Sequence, residues 1–82
     1  MSNPRLQSAI LEVVDNQLRD LHPPQTKETY DRLISRGYSD QKARQLIGAV
    51  VATEMFEMTK NNELFDEERF VEALNKLPDS PV

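Results

Sequence analysis

Only two glycines occur in the 82 residues, and one stands in the run Arg36-Gly37-Tyr38-Ser39. That run limits the fold more than any other stretch. A glycine directly after a helical segment supplies the left-handed residue that closes a helix without a Cβ clash. Ser39 is a preferred N-cap for the helix that follows, and Tyr38 is expected to fall back onto Leu33. The four residues therefore predict a tight turn between two helices, with no space for a strand or a long loop.

Three more breaks divide the chain. His22-Pro23-Pro24 ends the segment before it, because a residue preceding proline is driven out of the α region. Asn61-Asn62 and Pro78 close two later segments. Between the breaks, apolar residues recur at three- and four-residue spacing, the mark of a helix face. The first helix, about 4–21, opens on Asn3 as N-cap and Pro4 at the first helical position. Its stripe is Leu6, Ile10, Val13, Val14, Leu18 and Leu21, widened by Leu11. The second, about 25–36, turns Tyr30, Leu33 and Ile34 inward. The third, about 40–60, carries Ala43, Leu46, Ile47, Val50, Val51, Met55 and Met58, while Gly48, Ala49 and Ala52 keep its other sides small. Gly48-x-x-x-Ala52 permits a close helix approach within the chain. A helix apolar nearly all round is one that several neighbours cover.

The fourth helix, about 67–77, carries Phe70, Val71, Leu74 and Leu77. Asp66 suits its N-cap, Phe65 can staple against Phe70, and Glu67 and Glu68 favour the positive end of the helix dipole. No strand alternation or Asn-Gly hairpin signal occurs. The sequence predicts an all-α, four-helix bundle-like single domain over 1–78, with the third helix central and 79–82 a flexible tail.

Composition narrows the chemistry. The chain has no cysteine, which excludes disulfides, thiolate zinc sites and thiol nucleophiles. Its length suits one domain. No apolar run approaches the ~18–20 residues of a membrane span. Arg5, Gln7 and Glu12 interrupt the start, where a secretory leader needs an unbroken apolar stretch. A cytoplasmic location without a membrane partner is expected. His22 is the one histidine and so the one side chain that ordinarily titrates near neutrality. An enzyme would need His22, Tyr30 and Glu54 to converge, and nothing in their spacing brings them together. The acids Glu54, Glu57, Glu67, Glu68 and Glu72 lack the Glu-x-x-His pairing of helical carboxylate centres. Asn61-Asn62-Glu63 lacks the ladder and glycine of a calcium loop. The expectation is a non-catalytic chain with no metal or cofactor.

Glu54 needs separate treatment because it lies close to the third helix's apolar stripe. A buried carboxylate must pair, and Tyr30, Arg32 and Arg36 are the expected partners in a structural buried charge. Other pairs follow i,i+4 helix spacing: Asp15–Arg19, Glu28–Arg32, Asp40–Arg44 and Glu72–Lys76. At ~0.2–0.5 kcal/mol each they describe an exposed face.

Two surfaces remain as candidates for function. Met55, Phe56 and Met58 cluster on the third helix, with Phe56 off the main stripe, and methionine-rich surfaces adapt to varied partners. They predict a protein–protein interaction module whose partner is another protein or a second copy. The alternative is a weak nucleic-acid-binding helical domain using Arg32, Arg36, Lys42 and Arg44 around the Gly37 turn. The formal net charge of −4 and the interrupting Glu28, Asp31 and Asp40 oppose it, since phosphate binding needs a continuous basic face. No aromatics alternate with these bases to stack on single strands.

Two resemblances bear on the same residues. Leu33-x-x-x-Gly37-Tyr38-Ser39-x-x-x-Ala43-x-x-Leu46 resembles the first half of a ubiquitin-associated domain, whose Gly-aromatic turn forms part of the ubiquitin-contacting surface. The likeness ends beyond Leu46, because the helix after Ser39 is predicted to run on for about 20 residues where that family has a short helix and a second loop. A wider pattern comprises Pro23-Pro24, Thr29-x-x-Arg32-Leu33, Gly37-Tyr38-Ser39, Ala43, Leu46-Ile47, Glu54, Phe65-Asp66-Glu67-Glu68-Arg69-Phe70 and Leu77-Pro78. It resembles small bacterial all-helical proteins of a domain family without an assigned function. That resemblance implies a bacterial origin and a recurring helical fold, and no site residues.

Overall fold

Helix α3 (Asp40–Asn61) is the axis of this computed structural model, which describes residues 4–79. Around it lie α1 (Pro4–Asp20), α2 (Pro24–Ser35) and α4 (Glu67–Lys76). α3 touches all three. α2 also touches α1 and α4, whereas α1 and α4 do not meet. One flank of α3 is thus closed by α2, and a gap between α1 and α4 remains elsewhere. The radius of gyration is 12.1 Å, close to the ~12 Å of a compact domain this long. The expected all-α, four-helix arrangement with a central third helix is what forms.

The helix ends explain the connections. Gly37 has φ 95°; its N–H donates to the Ile34 carbonyl at 2.9 Å, and the Tyr38 N–H donates to the Leu33 carbonyl at 3.1 Å. This is a Schellman closure, and Ser39 Oγ then accepts from the Lys42 N–H at 3.1 Å to start α3. The outer bond of the same closure ends α1, where the His22 N–H donates to Gln17 O past a left-handed Leu21. It recurs at the end of α3, from the Glu63 N–H to Met58 O past a left-handed Asn62. Asp66 caps α4 by accepting from the Arg69 N–H at 3.0 Å. The Phe65 and Phe70 rings lie 5.6 Å apart, as a hydrophobic staple requires.

These caps move the expected boundaries slightly. The first helix stops at Asp20 because Leu21 turns left-handed. The second begins at Pro24, which needs no N–H at that position, and ends at Ser35. The third extends to Asn61, and the fourth ends at Lys76 because Leu77 is extended. At Asp79 the backbone N–H donates to the Lys76 carbonyl at 2.9 Å. The Asn3 cap and the remaining tail, 80–82, lie outside the described residues.

The buried core comprises Val14, Leu33, Ala43, Ile47, Val50, Val51, Phe70, Leu74 and Leu77. α3 supplies four of these residues, which makes it the central element. A Cβ on Gly48 would stand 3.3 Å from Ile10 Cγ2, so the missing side chain lets α1 lie against α3. Two inward stripes need correction. Leu6, Val13 and Leu21 are exposed, because α1 has neighbours on the α2 and α3 sides only. On α2, Ile34 is exposed, and Thr26, Thr29 and Leu33 are the buried residues. Thr26 Oγ1 donates to Gln17 Oε1 at 3.0 Å. Thr29 Oγ1 is buried with no hydrogen-bond partner among the described residues. Among those residues no helix is long and apolar enough to cross a membrane.

A candidate docking face on α1 and α3

Helix periodicity places Met55 and Phe56 on the side of α3 that α2 and α4 leave open. Phe56 is 62% exposed and Met55 42%, while Met58 is half-buried. Two shallow depressions meet at Met55. One is lined by Leu6 and Ile10 of α1 and by Ala52, Phe56 and Thr59 of α3. The other has Val51, Glu54 and Met58 as its floor, Val13 and Gln17 on one wall, and Phe65 and Phe70 on the other. Three segments distant in sequence therefore build one apolar surface. Met55, Phe56 and Met58 were legible as candidates; Leu6 and Val13 were not, because each continues a stripe that otherwise faces the core, and Phe65 was not, because it reads as a staple against Phe70. Lys60 Nζ lies 5.9 Å from the Phe56 ring centroid, so one face of the ring carries a cation.

Glu54 floors the second depression and is 5% exposed. Its carboxylate accepts from Arg69 Nε at 2.9 Å and from Arg69 Nη2 at 2.8 Å. A third bond comes from the Asp66 backbone N–H at 3.2 Å. The hydrogen bonds from Arg69 hold the Glu54 carboxyl below its ordinary pKa, against the opposing effect of burial. The same contact pushes the Arg69 guanidinium further up. Arg69 also reaches Glu63 Oε1 at 3.4 Å. Glu54 is thus a structural buried charge, but none of its expected partners is correct. The Tyr30 hydroxyl donates to Asp40 at 2.6 Å. Arg32 donates instead to the Leu74 and Leu77 carbonyls at 2.9 and 3.0 Å. Arg36 is the exposed C-cap of α2. The signal for Arg69 is faint in sequence: it flanks Phe70, and a short connection returns α4 onto the end of α3.

The basic candidates are largely committed. Arg32 is turned onto α4, where its charge answers the negative end of that helix. Arg44 pairs with Asp40 Oδ1 at 2.9 Å and with Asp15. The expected Asp15–Arg19 pair is replaced, since Arg19 bonds Asp20. Glu28–Arg32 is likewise replaced by Arg32's contacts to α4. Lys27 bonds Asp31 at 2.6 Å. Lys27 and Arg44 lie 5.5 and 5.7 Å from the Tyr30 ring centroid, and the hydrogen bond to Asp40 pushes the Tyr30 phenol up. Arg36 and Lys42 remain as exposed cations of the proposed set. Of the four bases around the Gly37 turn, two are thus held in intrachain side-chain contacts and, among the described residues, two are not seen in any.

His22, Tyr30 and Glu54 are not brought together either. Tyr30 is anchored at Asp40, and Asp40 and Glu54 are 14 positions apart on α3, about 21 Å along the axis at 1.5 Å per residue. His22 is exposed in the α1–α2 connection. Among the described residues no three His, Asp or Glu side chains gather as a metal site. No family model, curated protein or solved structure matches the chain.

Proposed function

We propose that the chain is a non-catalytic helical module that acts by protein contact through the open face of α1 and α3. The observation that carries this reading is the apolar surface joined at Met55. Phe56 and Phe65 are 62% and 47% exposed; at roughly 150–250 Å² per aromatic side chain, the two rings alone leave about 200 Å² uncovered. Leu6, Val13 and Met55 are exposed as well and extend this patch toward the few hundred Å² beyond which a contiguous apolar surface marks a contact site. Nucleic-acid binding has less support, because two of its four bases already serve intrachain contacts.

A photo-crosslinking residue installed at position 56, compared with one at Ser35 on α2, tests the reading in cells. The expected result is protein adducts at 56 and few at 35. Equal labelling at both positions, or none at either, would overturn it.

A further inference from the structure

We infer that the occupant of this face is a second copy of the same chain, an inference that rests on the interaction reading above. Two observations favour self-association over a foreign partner. First, the face carries a projection and a depression side by side. Phe56 stands out as a knob, and the second depression, walled by Val13, Phe65 and Phe70, lies beside it across Met55. A two-fold contact requires one patch to carry both the projection and its receptor, so that each copy inserts into the other.

Second, the charge distribution fits. A chain of net charge −4 repels its own copies unless they meet through a face that excludes its acids. The first depression has no ionisable lining residue. The second has Glu54 alone, already neutralised by two hydrogen bonds from Arg69. A basic partner would instead be met by unpaired carboxylates, and neither depression presents one.

Analytical ultracentrifugation of the full chain from about 1 to 300 µM is the test. The wild type is expected to rise from its 9.4 kDa monomer mass toward twice that value. Met55→Asp and Phe56→Asp should each weaken association at least tenfold, while Ser35→Asp, with the same change of charge on the α2 side, leaves it unchanged. Circular dichroism of each variant must show wild-type helicity, which the exposure of both side chains predicts. As a check free of substitutions, dilution of labelled wild type should shift the methyl resonances of Leu6, Val13 and Met55 and leave those of Leu33 and Leu74 in place. A wild type that stays monomeric throughout, or association that survives both substitutions, overturns the inference. Crosslinks from position 56 to other proteins alone would overturn the self-partner and leave the interaction reading standing.

Discussion

Glu54→Ala removes the carboxylate that fastens the start of α4 to α3. Three hydrogen bonds go with it, at 2.8, 2.9 and 3.2 Å. Bonds to charged groups contribute ~1.5–3 kcal/mol each, but the three are not independent. The Arg69 side chain is one-third exposed, so water takes over part of what it loses. The expected loss is about 2–3 kcal/mol, just below the ~3–5 kcal/mol of fully buried pairs. Against a total of roughly 4–12 kcal/mol for a domain of this length, that is a large fraction. With a urea slope of about 1 kcal/mol per molar, the midpoint falls by about 2–3 M in equilibrium unfolding followed by circular dichroism. A shift below about 0.5 M would refute the role given to this pair. Acidity supplies a second readout. Because Arg69 holds the folded-state pKa of Glu54 below its ordinary value of 4.5, its stabilisation is whole above about pH 5. It is lost as pH falls through the depressed folded value. Glu54→Gln has no such titration, so the gap between wild type and variant must narrow below about pH 4. A gap that stays constant to pH 2 would contradict the assignment.

Two further outcomes follow from single positions. Thr29→Val replaces a buried hydroxyl that has no partner among the described residues with a methyl of the same shape. It should stabilise the fold by about 1 kcal/mol, the lower end of the penalty for an unsatisfied buried group, and a lower thermal midpoint would contradict that. Gly37→Ala should cost about 1–2 kcal/mol, because φ is 95° while a Cβ there would meet nothing within 4 Å. Gly37→D-Ala, accessible by chemical synthesis, should restore wild-type stability, and equal losses for both enantiomers would show that backbone handedness is not the cause.

Local chemistry made most of the architecture readable. Proline, glycine and capping residues act on their immediate neighbours, so the four helices and the Arg36–Ser39 turn could be placed to within a residue. The breadth of apolar sequence on α3 foretold its central position for the same reason: burial on several sides needs apolar residues on several sides. Pairings across the fold were not readable. Arg32 and Glu28 have ideal helical spacing, yet Arg32 reaches α4, because two carbonyls at a helix end are a better match for a guanidinium than one exposed carboxylate. Arg69 escaped notice as the partner of Glu54 because their meeting depends on how the 62–66 connection folds. The proposed docking face was half visible. Phe56 stood out by its position off the stripe and Met55 by its place beside Phe56 and Met58, whereas Leu6 and Val13 share a stripe with buried Val14. Only the absence of a neighbour beyond α1 separates them.

The lack of contact between α1 and α4 has a dynamic consequence. The backbone of each terminal helix lies against α2 and α3 and not against the other, so one can detach with limited direct loss to its counterpart. Opening of this kind proceeds in separate cooperative units. The α2–α3 hairpin, closed by the Gly37 turn, is the unit both depend on, and its amide protons should be the slowest to exchange with solvent. A second copy seated on α1 and α3 would slow exchange in α1 far more than in the second half of α4. The protein's two ends would then differ in lifetime although they belong to one core.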